Sequence, residues 1–278
     1  MENKMKKTIL SLITLSLSSS LLLAQSSTTL SIGGTYSEGD YGTQDTTTSI
    51  YVPLTAKYKN KMFEMSVMVP YIQLDSTGSF TWTPSGPVPI SPVKPTDYLT
   101  STTPSDPFAP SSTTSGTKTK TSGLGDVNLK VGYTFVPMQG LYLKTSAIMK
   151  VATADKDKGL GTGENDYSAQ VDAYKAMGKT YLYITAGYTL IGDTQSVNYN
   201  NSAYGSAALG YNFTKLLSMG ANYSYRQALF DTIDDTQNSS AYLSYKFSKS
   251  FKMDMSYTYG MSDTSADNAY TLTLSETF

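Results

Sequence analysis

Apolar residues take every second place through long stretches of this chain, most plainly from Gly123 to Lys150. Val127, Leu129, Val131, Tyr133 and Phe135 alternate with Asn128, Lys130, Gly132 and Thr134. Beyond a short turn at Met138-Gln139-Gly140, Leu141, Leu143, Ala147, Met149 and Val151 oppose Lys144, Ser146 and Lys150. Side chains of a β-strand project alternately to opposite faces, so each arm carries one greasy face and one polar face. The pair predicts an antiparallel hairpin. A soluble sandwich would read the same way, so the decision rests on the rest of the chain.

The alternation predicts three strands before this hairpin: Leu30 to Tyr36, Ile50 to Tyr58 and Phe63 to Tyr71. Seven follow it: Tyr167 to Tyr174, Leu182 to Leu190, Ala207 to Phe213, Leu217 to Tyr225, Ala241 to Phe247, Phe251 to Tyr259, and Tyr270 to the terminal Phe278. Long polar loops follow the odd-numbered strands of this set of twelve, and tight turns follow the even-numbered ones. Outer-membrane barrels sort their connections in this way, and a soluble sandwich has no reason to. On the apolar face, Tyr58, Phe63, Phe135, Phe213, Phe247, Phe251 and Phe278 lie towards the short turns. Tyr36, Tyr71, Tyr225, Tyr259 and Tyr270 lie towards the long loops. Two aromatic belts with aliphatic residues between them suit the two water–lipid boundaries of a bilayer. The fold expected is therefore all-β: a closed antiparallel transmembrane β-barrel of about 12 strands in an up-and-down meander.

Composition narrows the chemistry. The 278 residues include no Cys and no His, which removes thiol chemistry, the usual general base and the commonest metal ligand. A net charge of −1 gives no case for nucleic-acid binding. Residues 1–24 read as a secretory signal, with Lys4, Lys6 and Lys7 ahead of a Leu-rich apolar run ending at Ala24. The barrel is then expected over residues 25–278. Residues 75–121, rich in Pro, Ser and Thr, are expected as a long extracellular loop, a mobile surface segment by composition or else a lid folding into the mouth, with Phe80 and Trp82 its obvious anchors.

With the apolar phase facing lipid, the opposite phase lines the lumen. It carries Lys57, Glu64, Asp126, Asn128, Lys130, Lys144, Lys150, Gln170, Asp172, Tyr174, Tyr181, Tyr183, Asn222, Arg226, Tyr242, Lys246, Lys252 and Asp254. Cations outnumber carboxylates there. That excess suits an electropositive passage for anionic or polar solutes, unless the charges pair across a narrow interior and close it. Tyr51 and the other inner tyrosines would suit aromatic solutes. The loop from Asp155 to Asp166, DKDKGLGTGEND, has neither P-loop order nor EF-hand spacing, so its glycines read as turn formers. No metal site, catalytic residue or cofactor is expected.

Two glycine motifs carry a family resemblance. Gly123-Leu124-Gly125-Asp126 runs directly into a strand, and Gly159-Leu160-Gly161-Thr162-Gly163 lies beyond the next one. Here the chain resembles the outer-membrane barrels named as transporters of the meta pathway of phenol degradation. Members often carry Pro-Thr-Gly-Asp after the fifth strand; this chain has Ala152-Thr153-Ala154-Asp155, keeping Thr and Asp. The resemblance implies a passive outer-membrane route for small, including aromatic, compounds. Phe278 at the end of an alternating strand also resembles the signal read by the barrel-assembly machinery. The expected function is an outer-membrane channel for passive passage of small solutes, the partners being lipid, that machinery and the solute, with the protein a monomer. The alternative is a sealed structural or adhesin-like barrel; an outer-membrane enzyme is less favoured, because the usual His base is absent and no motif marks a Ser–Lys dyad.

Overall fold

The computed structural model describes residues 26–43, 45–84, 86–89, 118–193 and 198–278; the expected signal segment lies outside them. The strands are β1 (Ser26–Gly39), β2 (Thr47–Asn60), β3 (Phe63–Ser76), β4 (Phe80–Thr83), β5 (Gly86–Pro89), β6 (Thr119–Leu124), β7 (Val127–Met138), β8 (Leu141–Val151), β9 (Asp166–Met177), β10 (Thr180–Leu190), β11 (Ser202–Asn212), β12 (Leu217–Arg226), β13 (Thr236–Lys246), β14 (Phe251–Gly260) and β15 (Asn268–Thr277). All but β4 and β5 form one antiparallel sheet, in which strands next to each other in sequence pair except around β3, which takes both β6 and β7 as partners. The ring closes where β1 pairs with β15, Leu30 opposite Glu276 and Tyr36 opposite Tyr270. No helix among the described residues is long and apolar enough to cross a membrane.

The wall has twelve strand positions, because β6 and β7 share one flank of β3. β6 pairs with Tyr71–Ser76 and β7 with Phe63–Met68. The break falls at Gly125-Asp126, where Gly125 N donates to Pro70 O at 2.9 Å. Pro70 stands opposite Pro53 of β2, and neither can donate to the ladder, which is where a strand pairing tolerates interruption. At the seam, inward hydroxyls add cross-strand hydrogen bonds: Thr29 with Thr277 (2.9 Å), Ser31 with Ser275 (2.8 Å) and Thr35 with Thr271 (2.9 Å). Backbone bonds between Thr28 and Phe278 finish it.

Connections of two to four residues lie at one end, the turn end, and the longer ones at the other, the loop end. Both ends of the described chain, Ser26 and Phe278, fall at the turn end. The outer face is apolar: Leu54 is 58% exposed, Leu209 57% and Ile184 43%. Soluble folds keep such residues in a core, whereas a membrane barrel turns them to lipid. Outward aromatics pair near the turn end, Tyr133 with Phe135 at 4.8 Å, Tyr211 with Phe213 at 5.0 Å and Tyr245 with Phe247 at 4.9 Å between centroids. At the loop end, outward tyrosines send their hydroxyls to loop-side acceptors. Tyr225 donates to Asp235 (2.6 Å), Tyr257 to Asn268 (2.7 Å) and Tyr223 to Gln237 (2.9 Å). A ring in grease with its polar tip in water is the arrangement expected at a bilayer boundary.

Candidate functional site

The inner face holds three layers along the barrel axis. At the turn end, Tyr142, Tyr174 and Tyr181 form a row of tilted rings, with centroids 6.0 and 5.7 Å apart, and Tyr242 donates to the Tyr181 hydroxyl at 3.1 Å. These rings lie along the wall rather than across the barrel. Tyr181 covers Gly210, its partner on β11, and Tyr242 covers Gly220 on β12. A higher tyrosine, Tyr204, covers Gly187 in the same manner. A Cβ at any of these glycines would collide with the ring above it, so the missing side chain is what lets the tyrosine lie flat.

The middle layer is ionic. Lys144 Nζ lies 3.3 Å from Glu64 and 3.6 Å from Asp172, and Lys130 Nζ lies 4.0 Å from Asp172. Asp172 Oδ1 also accepts from Gln170 Nε2 (2.8 Å) and Thr185 Oγ1 (2.9 Å), with the Tyr183 hydroxyl beside the same carboxylate. Gly132 stands on β7 opposite Glu64 on one side and Ser146 on the other; a Cβ there would sit 2.9 Å from Ser146 Oγ and in van der Waals contact with the Lys144 stem, 3.5 Å away. Of the inner cations expected from sequence, Lys144 is closely paired and Lys130 sits at the 4.0 Å limit of an ion pair, so in this layer opposite charges face each other across neighbouring strands. Lys57 sits between Thr29 and Ser66 by register, and Asn222 between Ala208 and Ser240. Lys252 pairs with Asp254 at 2.8 Å, while Lys246, opposite Lys252, is exposed at the turn end and joins none of the layers.

The loop-end layer encloses a cavity of about 460 Å³ lined by Asp126, Asn128, Lys150, Gln170 and Arg226 together with Tyr51, Met68, Pro70, Trp82 and Ile148. Lys150 is buried between Asp166 (2.9 Å) and Asp126 (3.4 Å) and donates to Thr162 Oγ1 at 2.9 Å. Asp126 Oδ1 accepts from the Thr153 and Ala154 amides, at 3.0 and 2.9 Å, and Asp166 from the Gly192 amide at 3.0 Å. Arg226 Cζ lies 4.3 Å above the centroid of Tyr204, whose hydroxyl donates to Gln170 Oε1 at 3.0 Å. Outside the wall strands, burial raises the Asp267 carboxyl above the ordinary range, helped by the charges of Asp40, Glu38 and Asp263.

β4 and β5 form a small hairpin inside this mouth, the described part of the long connection between β3 and β6. Trp82 stacks on Tyr51, 5.3 Å between centroids and 3° between planes; Phe80 packs on Tyr41 and Leu74; Val88 packs on Ile191 and Leu229. A Ser/Thr/Pro-rich segment reads as a surface loop by composition, yet this portion enters the barrel because its few apolar residues all find partners there. Of the segment expected as loop over 75–121, residues 75–76 instead belong to β3 and 119–121 to β6, where the two strands pair, and residues 85 and 90–117 lie outside the described residues.

The two glycine motifs fasten the hairpin. A Cβ on Gly123 would sit 2.7 Å from Leu160, and one on Gly161 would sit 2.5 Å from Asp126 Oδ2, so the two motifs pack directly on each other. Gly159, at φ +68°, accepts from Trp82 N at 2.9 Å, and Gly161 O accepts from Thr81 Oγ1 at 3.2 Å. Thr153 Oγ1 accepts from Val127 N at 3.0 Å, tying the retained Thr of the post-strand motif to the strand break. Sequence reasoning passed over Met68, Pro70 and Ile148, apolar residues in the inner phase. Their interruption of the polar alternation was the available signal.

Among the described residues, the wall is that of a closed, lipid-facing β-barrel with a polar, aromatic-lined interior. The chain belongs to the family described as "Putative MetA-pathway of phenol degradation", whose model matches residues 27–277. It is similar in fold to the COG4313 outer membrane channel from Pseudomonas putida F1, with TM-score 0.69 and 14% identity over 92% of this chain and 97% of that one. The NanC porin follows at TM-score 0.54 and 10% identity, covering 89% and 98%. The KdgM porin in complex with disordered oligogalacturonate gives 0.52 and 10%, covering 89% and 99%. At these identities the likeness is one of fold. No curated protein matches the chain in sequence.

Proposed function

We propose that this chain is an outer-membrane channel that lets small solutes, anionic and aromatic ones among them, pass passively along the lumen. The carrying observation is the contrast between the two faces of one closed wall. Apolar residues and two aromatic belts face outward, while the large inner side chains lie along the wall over glycines or pair with one another. Residues 1–24 direct export, the connection between β3 and β6 (residues 77–118) is extracellular, Phe278 is read by the assembly machinery, and the barrel works as a monomer. Catalysis forms no part of this reading, since the chain has neither His nor Cys.

A sealed barrel is the second reading, favoured by the hairpin seated in the loop-end mouth. Planar-bilayer recording separates the two. The folded wild-type protein should give unitary currents, and replacing residues 77–118 with a short Gly-Ser linker should enlarge them. Absence of any current or solute uptake from protein that runs as the folded species on a gel overturns the channel.

A further inference from the structure

We infer that the loop-end cavity is a binding station for aromatic carboxylates, in which Arg226 holds the carboxylate and the Tyr51–Trp82 pair holds the ring. The proposal rests on the channel reading and names the solute class that this stretch of lumen would retain.

The argument begins with charge. Two cations line the cavity, Lys150 and Arg226. Lys150 is committed to Asp126 and Asp166. Arg226 is not: among the described residues no carboxylate lies within ion-pair distance of it, and its Nη1 is buried with no hydrogen-bond partner. Its one defined contact is the face of Tyr204, 4.3 Å below. Stacking holds a guanidinium by its face and leaves the N–H groups in its plane to meet an acceptor. A buried donor left unmet is costly, and a carboxylate matches the two-pronged donor geometry of arginine.

The rest of the lining selects what carries that carboxylate. The stacked Trp82–Tyr51 pair forms an aromatic part of the cavity wall, and Met68, Pro70 and Ile148 add apolar surface. A cavity of about 460 Å³ falls within the range of small-molecule sites. A small inorganic anion would use Arg226 and leave the aromatic wall empty; a neutral hydrocarbon would leave Arg226 unmatched. A cation would find Asp126 and Asp166 already taken by Lys150 and backbone amides. An aromatic ring with one carboxylate uses both features.

Trp82 is the chain's single tryptophan, so its fluorescence reports from the site itself. The experiment titrates the folded full-length protein in detergent with benzoate, benzyl alcohol and acetate. Benzoate should give a saturable change, with affinity about tenfold or more above either of the others, the value of one charge-assisted contact. Arg226→Gln should remove that preference and leave benzyl alcohol unchanged, and Arg226→Lys should restore part of it. Equal binding of benzoate and benzyl alcohol by wild type overturns the proposal without need of any variant, as does an Arg226→Gln protein that runs as folded and keeps the preference. Bilayer recordings on the same preparations separate this from the channel reading. Current without benzoate preference removes the station alone, and benzoate preference without any current removes the channel alone.

Discussion

Lys150 is the cation on which the loop-end architecture depends, and replacing it with methionine tests that dependence. Its side chain is 9% exposed, and those of Asp126 and Asp166 are 6% and 2% exposed. Lys150→Met keeps the apolar stem and removes the ammonium, with its charge and its hydrogen bond to Thr162, leaving two buried carboxylates facing one position. Breaking a buried pair by deleting one partner costs about 3–5 kcal/mol. Each carboxylate here keeps backbone donors, two on Asp126 and one on Asp166, and the adjoining cavity is open to water, which places the cost near the lower bound, about 3 kcal/mol. Urea unfolding of the barrel in lipid vesicles, followed by the mobility shift of the unheated protein on a gel, measures it. The double variant Lys150→Met/Asp166→Asn removes one of the stranded charges and should recover about 1–2 kcal/mol, a coupling expected of residues in contact. A Lys150→Met barrel within about 0.5 kcal/mol of wild type, or two substitutions whose costs simply add, would refute the assignment of Lys150 as the clamp.

Other outcomes are expected from the same geometry. Gly161→Ala pushes a methyl to within 2.5 Å of Asp126 Oδ2 and 2.8 Å of Ala154 Cβ, and should cost about 1–3 kcal/mol in the same unfolding assay, whereas Gly34→Ala, with open space around it, should be tolerated. Leu54→Arg puts a charge on the outer face near mid-strand and should destabilise the vesicle-inserted barrel by about 2–4 kcal/mol, while Thr55→Arg on the inner face should not. Deleting Phe278 removes both backbone bonds to Thr28 and the proposed assembly signal, and should lower the folded fraction recovered from outer membranes. Asp267, raised by burial and by its acidic neighbours, binds its proton more readily in the folded state, so it favours folding increasingly as pH drops through its folded value, fully below the ordinary aspartate value. The unfolding midpoint of wild type relative to Asp267→Asn should therefore rise between pH 7 and pH 4.

The wall was legible in the sequence because it is set by local rules. Period-two alternation assigns each residue to lipid or lumen without knowledge of any neighbour, and the sorting of loops by length fixes the two ends. What the alternation could not supply was anything decided between non-adjacent strands. The break at Gly125-Asp126 depends on Pro70, far back in the chain, and the tyrosines lie flat only because glycines occupy the facing inner positions of neighbouring strands. The two glycine motifs drew attention as a family resemblance, but their physical reason is mutual contact: the Gly161 backbone packs on the Asp126 carboxylate, and Gly159 and Gly161 then offer their carbonyls to Trp82 and Thr81. The inner-face inventory was right about phase yet silent about pairing, and pairing is what distinguishes Arg226 from the lysines around it. A count of inner charges treats Lys130, Lys144, Lys150 and Arg226 alike. Distances show Lys144 and Lys150 closely paired with carboxylates, Lys130 at the 4.0 Å limit of one, and Arg226 stacked on a tyrosine with a buried donor that no protein group meets.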